Sequence, residues 1–189
     1  MVRIGDWIVV PGTPANGNVI DISLITVKVQ NFDNTIVTVP SYSLVSNSFQ
    51  NWRGIDENGG RRMTVNLYID MEHIHFCTPD ELETLGKLVQ LPADTSHLTN
   101  LDLYRTYMAT YIHRHSGMNN TILTMVRCMD PTPTGLPVQL YCFTSNTSWA
   151  IYEGIKSQIT AHAIAMAPQF SLKIFNWGEA QPNGMTIPG

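Results

Sequence analysis

The chain has 189 residues, 43% apolar and 14% charged, enough to bury a core and unlike a disordered segment. Lys plus Arg number 11 against 15 Asp plus Glu, a net charge of -4, which argues against a nucleic-acid binder with its usual basic footprint. The longest uninterrupted apolar run, Ala163 to Ala167, is far short of the roughly 20 residues that cross a bilayer.

No secretory leader pattern is read at Met1. The three cysteines, Cys77, Cys128 and Cys142, are an odd set without framework spacing and suit a reducing, cytosolic setting as small buried groups.

Up to residue 50 the chain is a series of short β-branched runs: Asp6 to Val10, Asn18 to Ile22, Leu24 to Gln30 and Thr35 to Val39. Turn signals separate them at Pro11 to Gly17 and Asn31 to Asn34. In the third run Ile25, Val27 and Val29 alternate with Thr26, Lys28 and Gln30, so one face is dry. Short strands at this spacing predict a small, strongly bent sheet or barrel over residues 1–54. Its core is thin for a free-standing domain and gains by packing on neighbours. Arg53 to Arg62 reads as a solvated linker, with the boundary segment set at 55–62.

From residue 63 the period changes. A strand around Val65, Leu67 and Ile69 leads to "TPDE" at Thr78 to Glu81, a capping box with Pro79 in the first turn, and an apolar stripe of Leu82, Leu85, Leu88 and Val89. A second helix is expected over Thr99 to His115, with Leu101, Tyr104, Met108, Tyr111 and Ile112 on one side. Strands follow at Thr121 to Cys128 and Val138 to Thr144. A helix then runs from about Thr147 to Met166, closed by Pro168, and Ser171 to Phe175 is a last strand. That order, β-α-β-β-α-β with one extra helix, predicts a ferredoxin-like α/β sandwich over 63–178, with crossovers suited to parallel pairing. The fold class is thus α+β, and residues 179–189 read as a frayed tail.

Chemistry is sparse. His73, His75 and Cys77 in "HIHFC" share a strand face and could ligate zinc, but no fourth ligand is near in sequence, and ordinary strand-end histidines are the plainer reading. No base is placed beside any thiol, and no glycine-rich phosphate loop, G-x-S-x-G or H-E-x-x-H string occurs. Trp149, Tyr152, Tyr104 and Tyr111 stand at helical spacing and read as core. No enzyme is expected: no catalytic residue, metal or cofactor site is assigned.

The segments "GDWI" (Gly5 to Ile8), "GNVIDISLITVKVQNFDN" (Gly17 to Asn34) and "TVPSYSLVSNSFQNW" (Thr38 to Trp52) resemble the cytoplasmic part of small-conductance mechanosensitive channels. In the second half "RRMTVNLYIDMEHIHF", "TNLDLYRTYM", "MVRCMDPTPTGLPVQLYCFT" and "WAIYEGIKSQI" resemble the miniconductance branch of that family. The resemblance runs from Arg3 to about Trp177. It implies an Sm-like (SH3-like) β-barrel, then an α/β domain, in a subunit whose membrane helices precede Val2. It implies a ring of identical subunits, usually seven, around a hollow cage at the cytoplasmic side of the bacterial inner membrane. Such channels open under membrane tension and release solutes in hypo-osmotic shock; no cofactor and no nucleic acid are implied, and this region would serve assembly and solute filtering.

Pro40 offers no amide to a ladder, so the run Thr35 to Val39 must stop there. Sheet edges template pairing with another chain, and Sm-like rings join at such edges. The expected subunit contacts are therefore Ile36, Val37, Val39, Pro40, Ser41, Leu44 and Phe49, with Ser41 to Leu44 a step between the strand and "SNSFQN". Two alternatives remain open from sequence: an RNA-binding Sm-like protein with an appended α/β domain, and a metal-dependent enzyme on His73, His75 and Cys77. The sparse cations before residue 50, Arg3 and Lys28 against Asp6, Asp21 and Asp33, disfavour the first.

Overall fold

The computed structural model describes residues 2–57 and 59–176. The chain divides into two compact units, Met1–Gly59 and Gly60–Gly189. Trp177 and the 179–189 tail lie outside the described residues.

The first unit contains β1 (Trp7–Val9), β2 (Asn16–Ile22), β3 (Thr26–Asn31), β4 (Ile36–Pro40), α1 (Ser41–Ser46), β5 (Gln50–Asn51) and α2 (Arg53–Glu57). The strands form one antiparallel sheet in the order β4-β3-β2-β1-β5. Alternation buries Val27 and Val29 on β3 and Val39 on β4; with Ile8, Val10, Ala15 and Val19 they form the core. A bulge between Val19 and Asp21 leaves Ile20 as the extra residue and bends β2. Gly17 is required by crowding, since a Cβ there would lie 2.0 Å from the Gln30 carbonyl oxygen on β3. The turn before β4 is closed by Asn34, at φ 67°, whose N–H donates to the Asn31 carbonyl.

Two expectations are corrected here. Ile25 does not join the dry face: the hairpin turns at Leu24 and Ile25, which are 98% and 78% exposed. The Arg53–Arg62 segment is not a plain linker, because it folds into α2 and the start of the next strand, and Arg53 is ion-paired with buried Asp6. The step expected at Ser41 to Leu44 lies within the helix α1.

The second unit contains β6 (Arg61–Ile69), a 3-10 turn at Met71–His73, α3 (Pro79–Leu85), α4 (Asn100–Arg114), β7 (Met125–Cys128), β8 (Leu136–Thr144), α5 (Trp149–Met166) and a 3-10 turn at Ala167–Phe170. The sheet order is β6-β8-β7, antiparallel throughout. Met63, Val65, Leu67 and Ile69 of β6 and Val138, Leu140 and Cys142 of β8 face Leu101, Tyr104, Met108 and Ile112 of α4 and Ile159 and Ala163 of α5 in one core. The Tyr104 hydroxyl donates to the Ala163 carbonyl at 2.7 Å, tying the two helices.

Parallel pairing is not seen among the described strands. β6 and β7 run the same way but are separated by β8, which is antiparallel to both. The expected strands Thr121 to Cys128 and Ser171 to Phe175 also contract, the former to Met125–Cys128 and the latter to a single antiparallel bridge, Ile69 to Ile174. The expected capping box forms at Thr78/Glu81, and the structure adds a second at Thr99/Asp102. α3 ends at Leu85, however, and Leu88 is 45% exposed, because Gly86 caps the helix before the stripe is complete. Trp149 is also not core: it is 54% exposed and its Nε1–H donates to Glu153 Oε1.

Candidate assembly surface

β4 and β5 are the two end strands of the first sheet, so each has a neighbour on one side only. On β4, Ile36 is 57% exposed, while Val37 packs part-buried on the core and Val39, at 1%, lies within it. Val39 therefore supports its own unit, and any contact it makes outside would be through its backbone. Pro40 closes β4 opposite Thr26 and is exposed. The Ser41 N–H donates to the Ile25 carbonyl at 3.0 Å and its hydroxyl to the Ser23 carbonyl at 3.3 Å. Leu44 and Phe49 pack part-buried on the core, flanking the approach to β5. The seven expected contact residues thus follow one path from β4 to the entry of β5, with Ile36 the one presenting a large apolar side chain to solvent.

β5 is short, and an ion pair fixes it. Gln50 and Asn51 pair with Val9 and Ile8. The Asn51 side-chain amide and the Arg3 N–H both donate to Asp6 Oδ2 at 2.8 Å, and Arg53 Nε donates to Asp6 Oδ1 at 2.7 Å with Nη2 on Oδ2. Asp6 is 6% exposed. Burial pushes its carboxyl up, but Arg53, the Arg3 amide and Asn51 outweigh that and hold it at about 2. Neither Asp6 nor Arg53 stood out in the sequence, where they lie 47 positions apart. The pairing also consumes cations: Lys28 sits 3.1 Å from Asp21 across the β2–β3 pair.

The histidine cluster disperses into structural contacts. His75 Nε2 lies 3.0 Å from Glu81 Oε1, and donating a hydrogen bond to that carboxylate raises the imidazole's pKa. His73 Nδ1 is 3.3 Å from Asp70 Oδ2. Cys77 packs against the second core, where burial raises its thiol. No three His, Cys, Asp or Glu residues are grouped to hold a metal ion among the described residues. The buried polar residue in this region is Asn100, 0% exposed. Its side chain accepts from the His75 N–H and donates to the His73 and Phe170 carbonyls.

Residues 1–54 match the family model described as the mechanosensitive ion channel β-domain. A structure of Arabidopsis thaliana MSL1 matches 93% of this chain and 53% of its own, at 10% identity and a TM-score of 0.64. A closed-state crystal structure of Helicobacter pylori MscS matches 100% of this chain and 60% of its own, at 11% identity and a TM-score of 0.60. At these identities the likeness to the solved structures is one of fold, and this chain spans 53–60% of their lengths.

Residues 1–54 thus match a mechanosensitive-channel β-domain model, and the chain as a whole has a mixed α/β fold with antiparallel sheets like that of the solved structures. The resemblance to small-conductance mechanosensitive channels is carried in sequence by residues 1–54 and, over the rest of the chain, by fold. That family is one of channels, not an enzyme class. Among the described residues no helix is long and apolar enough to cross a membrane.

Proposed function

We propose that this chain is the cytoplasmic vestibule region of a tension-gated channel of the bacterial inner membrane, of the miniconductance type, joined to membrane helices and assembled as a ring of identical copies. Residues 1–54 act as an Sm-like barrel that holds the ring together, 55–62 join the domains, and 63–178 form a ferredoxin-like domain that walls the solute path. The observation carrying this reading is the β-domain match over a sheet with end strands β4 and β5 on offer to neighbours. The strand order β6-β8-β7, with Ile174 bridging to the free side of Ile69, supports the ferredoxin-like reading of the second unit.

The gene encoding this chain, expressed in cells without mechanosensitive channels of their own, should raise survival after abrupt dilution from high to low osmolarity. No gain in survival with the protein present in the membrane would refute the gating role. Assembly is read separately by light scattering: the chain should exceed the mass of one copy, and Ile36→Asp should lower that mass while leaving the circular dichroism spectrum unchanged. An unchanged mass would remove Ile36 from the contact.

A further inference from the structure

The β2–β3 turn carries an apolar tip where turns ordinarily carry Gly, Pro, Asn, Asp or Ser. Leu24 is 98% and Ile25 78% exposed. The turn holding them is closed by a clamp: the Ser23 N–H donates to the Thr26 carbonyl at 2.8 Å, the Thr26 N–H donates to Ser23 Oγ at 3.0 Å, and the two hydroxyls lie 2.9 Å apart. Its other side is tied to the start of α1 by the two Ser41 hydrogen bonds. The tip is thus apolar and fixed in position, which limits the entropy lost when it is buried.

α1 has the opposite oddity. Leu44 packs on the unit's core, yet Tyr42 and Val45, three apart and so on one helix face, are 77% and 84% exposed. A six-residue helix with apolar groups on its outer face is unsatisfied by its own unit.

We infer that the Leu24–Ile25 tip of one copy docks on the Tyr42–Val45 face of α1 in the next copy. This rests on the edge-to-edge assembly proposed above. Each neighbouring pair in the sheet is antiparallel, and continuing that pattern sets β4 of one copy antiparallel to β5 of the next. The C-terminal end of β4, at Pro40 opposite Thr26, then meets the N-terminal end of β5 at Gln50. The tip stands just beyond Thr26, and α1 leads into Gln50 through residues 47–49. The contact is head-to-tail, with different surfaces on the two sides, as a closed ring needs. It removes both exposed apolar sets from water together.

The test uses the full chain with exposed Cys128 changed to Ser. Leu24→Cys chains with a long tag are mixed with Val45→Cys chains with a short one, oxidised and run without reductant, and light scattering gives the assembly's mass. A covalent heterodimer of intermediate size is expected. An assembled ring without that band overturns the docking and leaves edge assembly standing. Failure of the parent chain to assemble overturns both. Independently, Leu24→Asp with Ile25→Asp should raise the concentration for half-assembly at least tenfold, and an unchanged concentration with a native spectrum overturns the docking.

Discussion

Asp6 concentrates much of the polar energetics of the first unit in one side chain. Its carboxylate is buried and met by Arg53, Asn51 and the Arg3 amide, so it ties α2, β5 and the N-terminal turn to one point. Arg53→Ala would leave that charge without its cation and should cost about 3 kcal/mol in denaturant unfolding. The carboxyl's depressed pKa has a definite sign. Its contribution, roughly 2 kcal/mol, is complete above the ordinary 3.8 and is lost as pH falls toward about 2. A stability–pH profile should show that loss in the parent and not in Asp6→Asn. Asn100 plays the same part in the second unit. Asn100→Ala strands the His75 N–H and two carbonyls and should cost at least about 1–3 kcal/mol by urea titration, with α4 still helical.

The starts of α3 and α4 are fixed locally, whereas strand bounds depend on neighbours. α3 and α4 each start at a threonine with a reciprocal acidic partner three residues on, a local device that needs nothing from the rest of the fold. Thr99→Ala should therefore cost about 1 kcal/mol without changing which residues are buried, as judged by urea midpoint and near-ultraviolet dichroism. Strand ends depend on neighbours instead. Thr121 to Thr124 has suitable residues for a strand, but β7 pairs with β8 from Met125 onward only. Ser171 to Phe175 likewise alternates well yet keeps one bridge, after a left-handed Ser171 at φ 56° ends the preceding 3-10 turn. β4 is the instructive exception: its end is dictated locally by Pro40, and α1 begins at the next residue.

At the scale of the whole chain, the two units have separate cores of very different size. The smaller core has little apolar area to offset chain entropy, so it should be the less stable unit. Calorimetry should resolve two components, and Val39→Asp, which places a carboxylate in the smaller core, should abolish the first while sparing the second. A single transition lost entirely in Val39→Asp would show that the two units unfold together. Assembly would add to the smaller unit's stability by mass action, so its transition should rise with protein concentration.

The sequence by itself determined what depends on nearest neighbours: the alternation of β3 and β6, the cap at Thr78, the span of α4 and the stop at Pro40. It also carried the family resemblance, through segments within residues 1–54, the range that matches the mechanosensitive-channel β-domain model. Tertiary structure decided what depends on partners remote in the chain. Asp6 meets Arg53 only because β1 and β5 pair, His75 meets Glu81 instead of a metal set, and Ile25 falls on a turn although its period fits a dry face. The physical reason is the same in each case. Local rules act through a few backbone bonds and survive without context, whereas burial, ion pairing and edge position exist only once distant strands have chosen their neighbours.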